Sequence, residues 1–111
     1  MPIPKFKAWN QVPEKTPLEG VSMRTVWGEK AMMALFNIDP EAEVPLHHHP
    51  HEQLGMVLEG SITFVVNGEE VELTKGTTYV IPGGVAHSAR AGENGAVVLD
   101  IFSPPREEYK D

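Results

Sequence analysis

Leu46-His47-His48-His49-Pro50-His51-Glu52-Gln53 places four histidines within five residues, and all five histidines of the chain lie between 47 and 87. Alternate residues of an extended strand share a face. His47 and His49 can therefore converge on one ion, while His48 points away. Neutral imidazole is the commonest biological metal ligand, so this clustering points to a metal site. The alternatives are a solvated loop without a role and a tag remnant; the internal position between strands speaks against the second. Gln53 has the same parity as His47 and His49 and lies just past the Pro50 break. His51 shares the parity too, but Pro50 leaves its direction open, and it is expected to line the pocket. Glu52 is a rival anionic ligand whose parity is wrong if the local backbone is extended. A further ligand has to come from another strand, and His87 is the one histidine outside the cluster.

Strands are what the surrounding sequence predicts. Val21 to Trp27 and Ala31 to Ile38 are separated by Gly28-Glu29-Lys30. Leu54 to Glu59 is apolar and stops at Gly60. Ser61 to Val66 alternates, with Ile62, Phe64 and Val66 on one face. Asn67-Gly68 is a strong hairpin signal, because both turn positions favour positive φ. Glu69 to Leu73 alternates again, and Val71 and Leu73 are expected on the face of Ile62 and Phe64. Thr77 to Ile81 and Val97 to Phe102 complete the set, with Pro82-Gly83-Gly84 between them and Pro104-Pro105 after. No segment carries a helical apolar period; only 106–110 suits a terminal helical turn. Many short strands with Gly/Pro punctuation imply an all-β sandwich or barrel. Residues 1–20 hold four prolines and form an arm, either a tail or an edge strand on the barrel or on a second subunit. Phe6 and Trp9 favour docking of that arm. Residues 21–111 are the barrel domain.

Composition narrows the partners. A chain of 111 residues is one domain. Sixteen acidic against 9 basic residues give a formal charge of −7, which disfavours nucleic-acid binding. The absence of cysteine excludes disulfides, thiolate metal sites and a Cys nucleophile. No apolar run is long enough to span a bilayer, and the N-terminus lacks the apolar core of a signal peptide. A cytoplasmic protein is the expectation.

These motifs resemble those of the cupins. The first cupin motif, G-x5-H-x-H-x3-E-x6-G, is matched by Glu41, His47, His49, Gln53 and Gly60. The second, G-x5-P-x-G-x2-H-x3-N, is matched by Gly76, Pro82, Gly84, His87 and Ala91. The resemblance implies a small double-stranded β-helix, or jelly-roll barrel, with one divalent metal ion (Ni, Zn, Mn, Fe or Cu) on His47, His49, Gln53 and His87. Glu41 and Ala91 are minor departures. Gln53 in place of the glutamate is chemically significant: four neutral ligands leave more positive charge on the ion and make it a stronger Lewis acid.

The last strand adds an acid. Asp100 sits in an apolar run, on the face of Val98 and Phe102, and an unpaired carboxylate there is costly. It either forms a salt bridge with Arg106 or Arg90, or stands at the barrel mouth as an acid/base with a raised pKa. His-x-His-Pro-His-Glu-Gln followed by Leu-Asp-x-Phe-x-Pro-x-Arg-Glu-x-Tyr is similar to the KdgF family of pectin-degradation proteins. That resemblance implies conversion of 4,5-unsaturated monouronates to the linear 4-deoxy-5-keto form, with Asp100, Phe102 and Arg106 implicated in activity. Arg106 would clamp a uronate carboxylate, Phe102 wall the pocket, and Asp100 move the proton. A metal-dependent oxygenase and a non-catalytic binding or sensor cupin are the alternatives. Cupins of this size commonly form homodimers through N-terminal strands, which the arm would suit.

Overall fold

The computed structural model describes residues 3–110; the first two residues of the expected arm and Asp111 of the barrel domain lie outside them. Eight strands follow one another: β1 (Lys15–Leu18), β2 (Val21–Trp27), β3 (Met32–Ile38), β4 (Glu43–His47), β5 (Glu52–Val66), β6 (Glu69–Thr74), β7 (Thr78–Ile81) and β8 (His87–Ser103). Every pairing is antiparallel. Short 3₁₀ turns occupy Trp9–Gln11 and Glu107–Tyr109. Among the described residues no helix is long and apolar enough to cross a membrane.

β5 and β8 organise the rest. They pair with each other from Glu52↔Ser103 to Val66↔His87, with register shifts between Val57 and Glu59 and between Gly60 and Ile62. On their other edges each changes neighbour midway. β5 pairs with β7 through Gln53–Met56 and with β6 through Ser61–Val66. β8 pairs with β4 at its start and with β3 beyond Ala96. Two sheets result, β1-β2-β3-β8-β5-β7 and β4-β8-β5-β6, joined by the same two bent strands. Their inner faces enclose one core that includes Met32, Phe36, Val57, Ile62, Val98 and Phe102. This is the all-β architecture the strand pattern implied, in the jelly-roll form that the cupin resemblance implied.

Several local expectations need correcting. Gly60, expected to end a strand, is the bend inside one of 15 residues. Its φ is +74°, and a Cβ there would land on the carbonyl oxygen of Gly95, itself at φ +76°. The close crossing lets both strands turn from one sheet into the other, the geometry expected where sheets meet through bulges. Val97 to Phe102 is likewise only the second half of a 17-residue strand. Val71 does not join the inner face as fully as Leu73: it is 47% exposed against 8%, because β6 is an edge strand at the rim. The Asn67-Gly68 turn forms as read, with φ of +52° and +81°. In the arm, Lys15 to Leu18 pairs with β2 as an edge strand. Trp9 is half-buried and its carbonyl accepts from Arg24. Phe6, expected to dock, is 91% exposed on the single chain.

The two glycines predict a graded response. Gly68→Ala meets no atoms and costs only the left-handed strain of about 1 kcal/mol. Gly60→Ala adds a backbone clash at the sheet junction and is expected to cost at least about 3 kcal/mol. Urea unfolding midpoints of the two variants check the order.

Candidate metal centre

His47 and His87 are direct cross-strand partners on β4 and β8, and their ring centroids lie 4.3 Å apart. Beyond β4 the chain leaves the sheet, and the His49 carbonyl accepts from the Gly84 amide of the loop before β8. That contact swings His49 back over the barrel end, 5.5 Å from the His47 ring and 5.2 Å from the His87 ring. One ligand nitrogen from each of the three lies within 4.8 Å of the others. Gln53, at the start of β5, supplies Oε1 at 3.2 Å from His49 Nε2. His48 is exposed and so is Glu52. His51 is half-buried beside His49, at 5.5 Å between rings, with its Nδ1 lacking a hydrogen-bond partner.

The tautomers follow from the backbone. Each of the three clustered histidines directs Nδ1 at a carbonyl oxygen: His47 at Pro45 (2.9 Å), His49 at His51 (3.1 Å) and His87 at Val85 (2.9 Å). A carbonyl only accepts, so Nδ1 carries the proton and Nε2 a bare lone pair. Burial, with Arg106 and the neighbouring histidines, holds His49 down at about 4, and burial also lowers His87. Both rings are thus neutral near pH 7. His87 Nε2 is buried with no partner among the described residues, and His49 Nε2 faces the Gln53 oxygen, lone pair to lone pair. Such an arrangement is repulsive unless a cation lies between the atoms. The residues fit a divalent metal ion, and the carbonyl contacts are the usual means of orienting metal-binding imidazoles.

Around this cluster the cavity continues inward, with about 540 Å³ of empty space including its mouth. Asp100, 4% exposed, takes a 2.9 Å hydrogen bond from Gln53 Nε2 on Oδ2 and one from the Tyr79 hydroxyl on Oδ1. Neither expected arginine bridges it. Arg90 pairs with Glu41 at 3.8 Å, and Arg106 with Glu108 at 3.5 Å. The acid/base alternative's raised pKa is present: burial pushes Asp100 up to about 7, against the lowering effect of Tyr79, Gln53 and the Arg106 charge. Burial beside that carboxylate drives the Tyr79 phenol upward as well.

Phe102 is 1% exposed and packs edge-on beneath His49, at 5.8 Å between centroids. Arg106 is 8% exposed, with its guanidinium 5.1 Å from the Phe102 ring and 4.0 Å from the Tyr109 ring, and its Nε has no hydrogen-bond partner among the described residues. The segment carrying these residues is tied to the arm. Lys15 Nζ and Thr25 Oγ1 both donate to the Tyr109 carbonyl, at 2.6 and 2.8 Å, and Lys15 also reaches the Lys110 carbonyl.

Tyr79 and Gly55 went unread in the sequence. Tyr79 on β7, Gly55 on β5 and Asp100 on β8 stand in one row across three strands. A Cβ on Gly55 would overlap both the Tyr79 ring and Asp100 Oδ1. The empty position is what lets the phenol reach a carboxylate two strands away.

Comparison with known proteins agrees with this architecture. The family model for the cupin domain matches residues 34–102. The pectin degradation protein KdgF of Dickeya dadantii (strain 3937) is 29% identical over 104 residues, covering 88% of this chain and 94% of that protein. The structure of KdgF from a Halomonas species aligns with a TM-score of 0.88 at 26% identity, over 96% of this chain and 98% of its own. An RmlC-like cupin from Shewanella frigidimarina NCIMB 400 aligns with a TM-score of 0.89 at 28% identity, over 96% of each chain. Strand order, motif positions and family match agree: the chain belongs to the cupin domain family.

Proposed function

We propose that this cupin is a metal-dependent enzyme of uronate catabolism. It opens 4,5-unsaturated monouronates and tautomerises them to linear 4-deoxy-5-keto uronates. The supporting observation is one cavity lined by His47, Gln53 and His87 of the donor cluster, a buried carboxyl in contact with Gln53, and a buried arginine. The likeness to two KdgF proteins over nearly the whole chain points the same way.

The donors would be Nε2 of His47, His49 and His87 and Oε1 of Gln53. A divalent ion held there supplies Lewis acidity towards a substrate oxygen without adding a charged ligand. The remaining steps belong to side chains of the chain. Arg106 offers the unpartnered Nε to the uronate carboxylate; its guanidinium is kept rigid between Phe102 and Tyr109. Phe102 and the aliphatic lining exclude water from the sugar face. Asp100 takes the hydroxyl proton as the ring opens and returns a proton to carbon as the enol becomes the ketone. Across the reaction the bond between the anomeric carbon and the ring oxygen breaks, the hydroxyl oxygen becomes a carbonyl, and one proton ends on carbon; the formula is unchanged, so no oxidant is required.

We further take the protein to be cytoplasmic and to act as a homodimer. Phe6 and Ile3 are 91% and 78% exposed on the arm, and Leu54 and Val80, paired across β5 and β7, are 38% and 63% exposed on the outer face. Sedimentation velocity is expected to give twice the chain mass.

Three outcomes test the activity. With metal loaded, unsaturated galacturonate followed by NMR is expected to convert faster than the uncatalysed reaction, and chelation to abolish the difference. Asp100→Ala should lower kcat by about 10²–10⁴-fold when assayed at saturating metal. Arg106→Gln should act mainly on KM, raising it roughly 10- to 100-fold, the loss of a hydrogen-bonded charge of about 1.5–3 kcal/mol. Binding of the uronate without turnover would make the protein a sensor instead, and oxygen consumption would make it an oxygenase.

A further inference from the structure

Gln53 is a symmetric-looking ligand: its amide can present oxygen or nitrogen to the histidine cluster, and only the oxygen has a lone pair to give. Some contact must therefore choose. Asp100 Oδ2 accepts from Gln53 Nε2 at 2.9 Å, which turns Oε1 towards His49. The choice holds only while the carboxylate acts as an acceptor at that oxygen and keeps its own orientation. Its other oxygen, Oδ1, takes the Tyr79 hydroxyl.

We infer that Tyr79 is a positioning residue for the metal centre: through Asp100 it locks the Gln53 amide with its oxygen towards the ion, and Gly55 is the vacancy that makes this contact possible. The inference rests on the metal-centre reading above. Strands lie about 4.8 Å apart, so Tyr79 and Asp100 start about 10 Å from each other on opposite sides of β5. Any residue with a Cβ at position 55 would stand between them. The Tyr79 ring is held laterally by Phe64, at 4.8 Å between centroids, so the hydroxyl is delivered from a fixed direction. The chain Tyr79–Asp100–Gln53 thus runs from the barrel wall to the metal donors, ending at Gln53 Oε1 beside His49 Nε2.

The test uses Co²⁺ as the probe, read by calorimetric affinity and by the visible absorption of the bound ion. Tyr79→Phe keeps the ring against Phe64 and removes only the donor. It is expected to weaken Co²⁺ binding roughly 10-fold, the low end of what outer contacts to metal ligands contribute, and to alter the visible spectrum. In a Gln53→Ala background the same substitution should change neither. Gly55→Ala should match or exceed the effect of Tyr79→Phe; if it fails to fold, the Tyr79→Phe pair still decides. Unchanged affinity and spectrum in Tyr79→Phe, or an equal loss with and without Gln53, overturns the inference while leaving the metal centre standing. A wild-type protein that binds no Co²⁺ overturns both.

Discussion

The register between β5 and β8 is the constraint on which everything else depends. Both strands are shared by both sheets, so their alignment sets the relation of one sheet to the other. Gln53, Asp100 and Phe102 belong to one sheet, and His47 and His87 to the other. They meet at one end of the barrel only because β5 and β8 bend at the same level, where Gly60 crosses Gly95. A slip of one residue would exchange inward and outward side chains along either strand. Asp100 would then face solvent and Leu99 the cavity. The long pairing, continued on both edges by other strands, fixes the register far more firmly than any contact inside the site.

The chemistry of the site comes from withholding charge. Burial holds the His49 and His87 rings below the usual imidazole range, and the fourth donor is an amide. The anion is placed one bond further out, on Asp100, where it touches the ligand rather than serving as one. A glutamate at position 53 would face that carboxylate as a second buried acid. The glutamine is therefore matched to its neighbour as much as to any ion: it gives a hydrogen to the acid on one side and a lone pair to the histidines on the other.

Much of this was legible in the residues. Parity separated His47 and His49 from His48, two motif spacings brought Gln53 and His87 into the same set, and Asp100 stood out as a carboxylate in an apolar run. What parity could not supply was the neighbour across the sheet. Tyr79 and Gly55 look like ordinary strand residues, and only the registers of β7 with β5 and β5 with β8 put them in a row with Asp100. For the same reason the sequence offers Asp100 only arginines as partners beside its acid/base alternative, whereas its partners are an amide and a phenol. A glycine that bends a strand, as Gly60 does, and one that ends it have the same local signature; the difference lies in Gly95, far along the chain.

The roof of the cavity has a dependence of its own. Arg106 and Tyr109 lie on a segment without a sheet partner, and Lys15 of β1 holds that segment by its carbonyls with help from Thr25. The first strand is thus a latch for the last turn. Whatever engages the arm from outside, including a second copy of the chain, acts on a strand one lysine removed from the arginine over the pocket. The last turn and the first strand are thus mechanically linked through Lys15 and Thr25, by a path that bypasses the core.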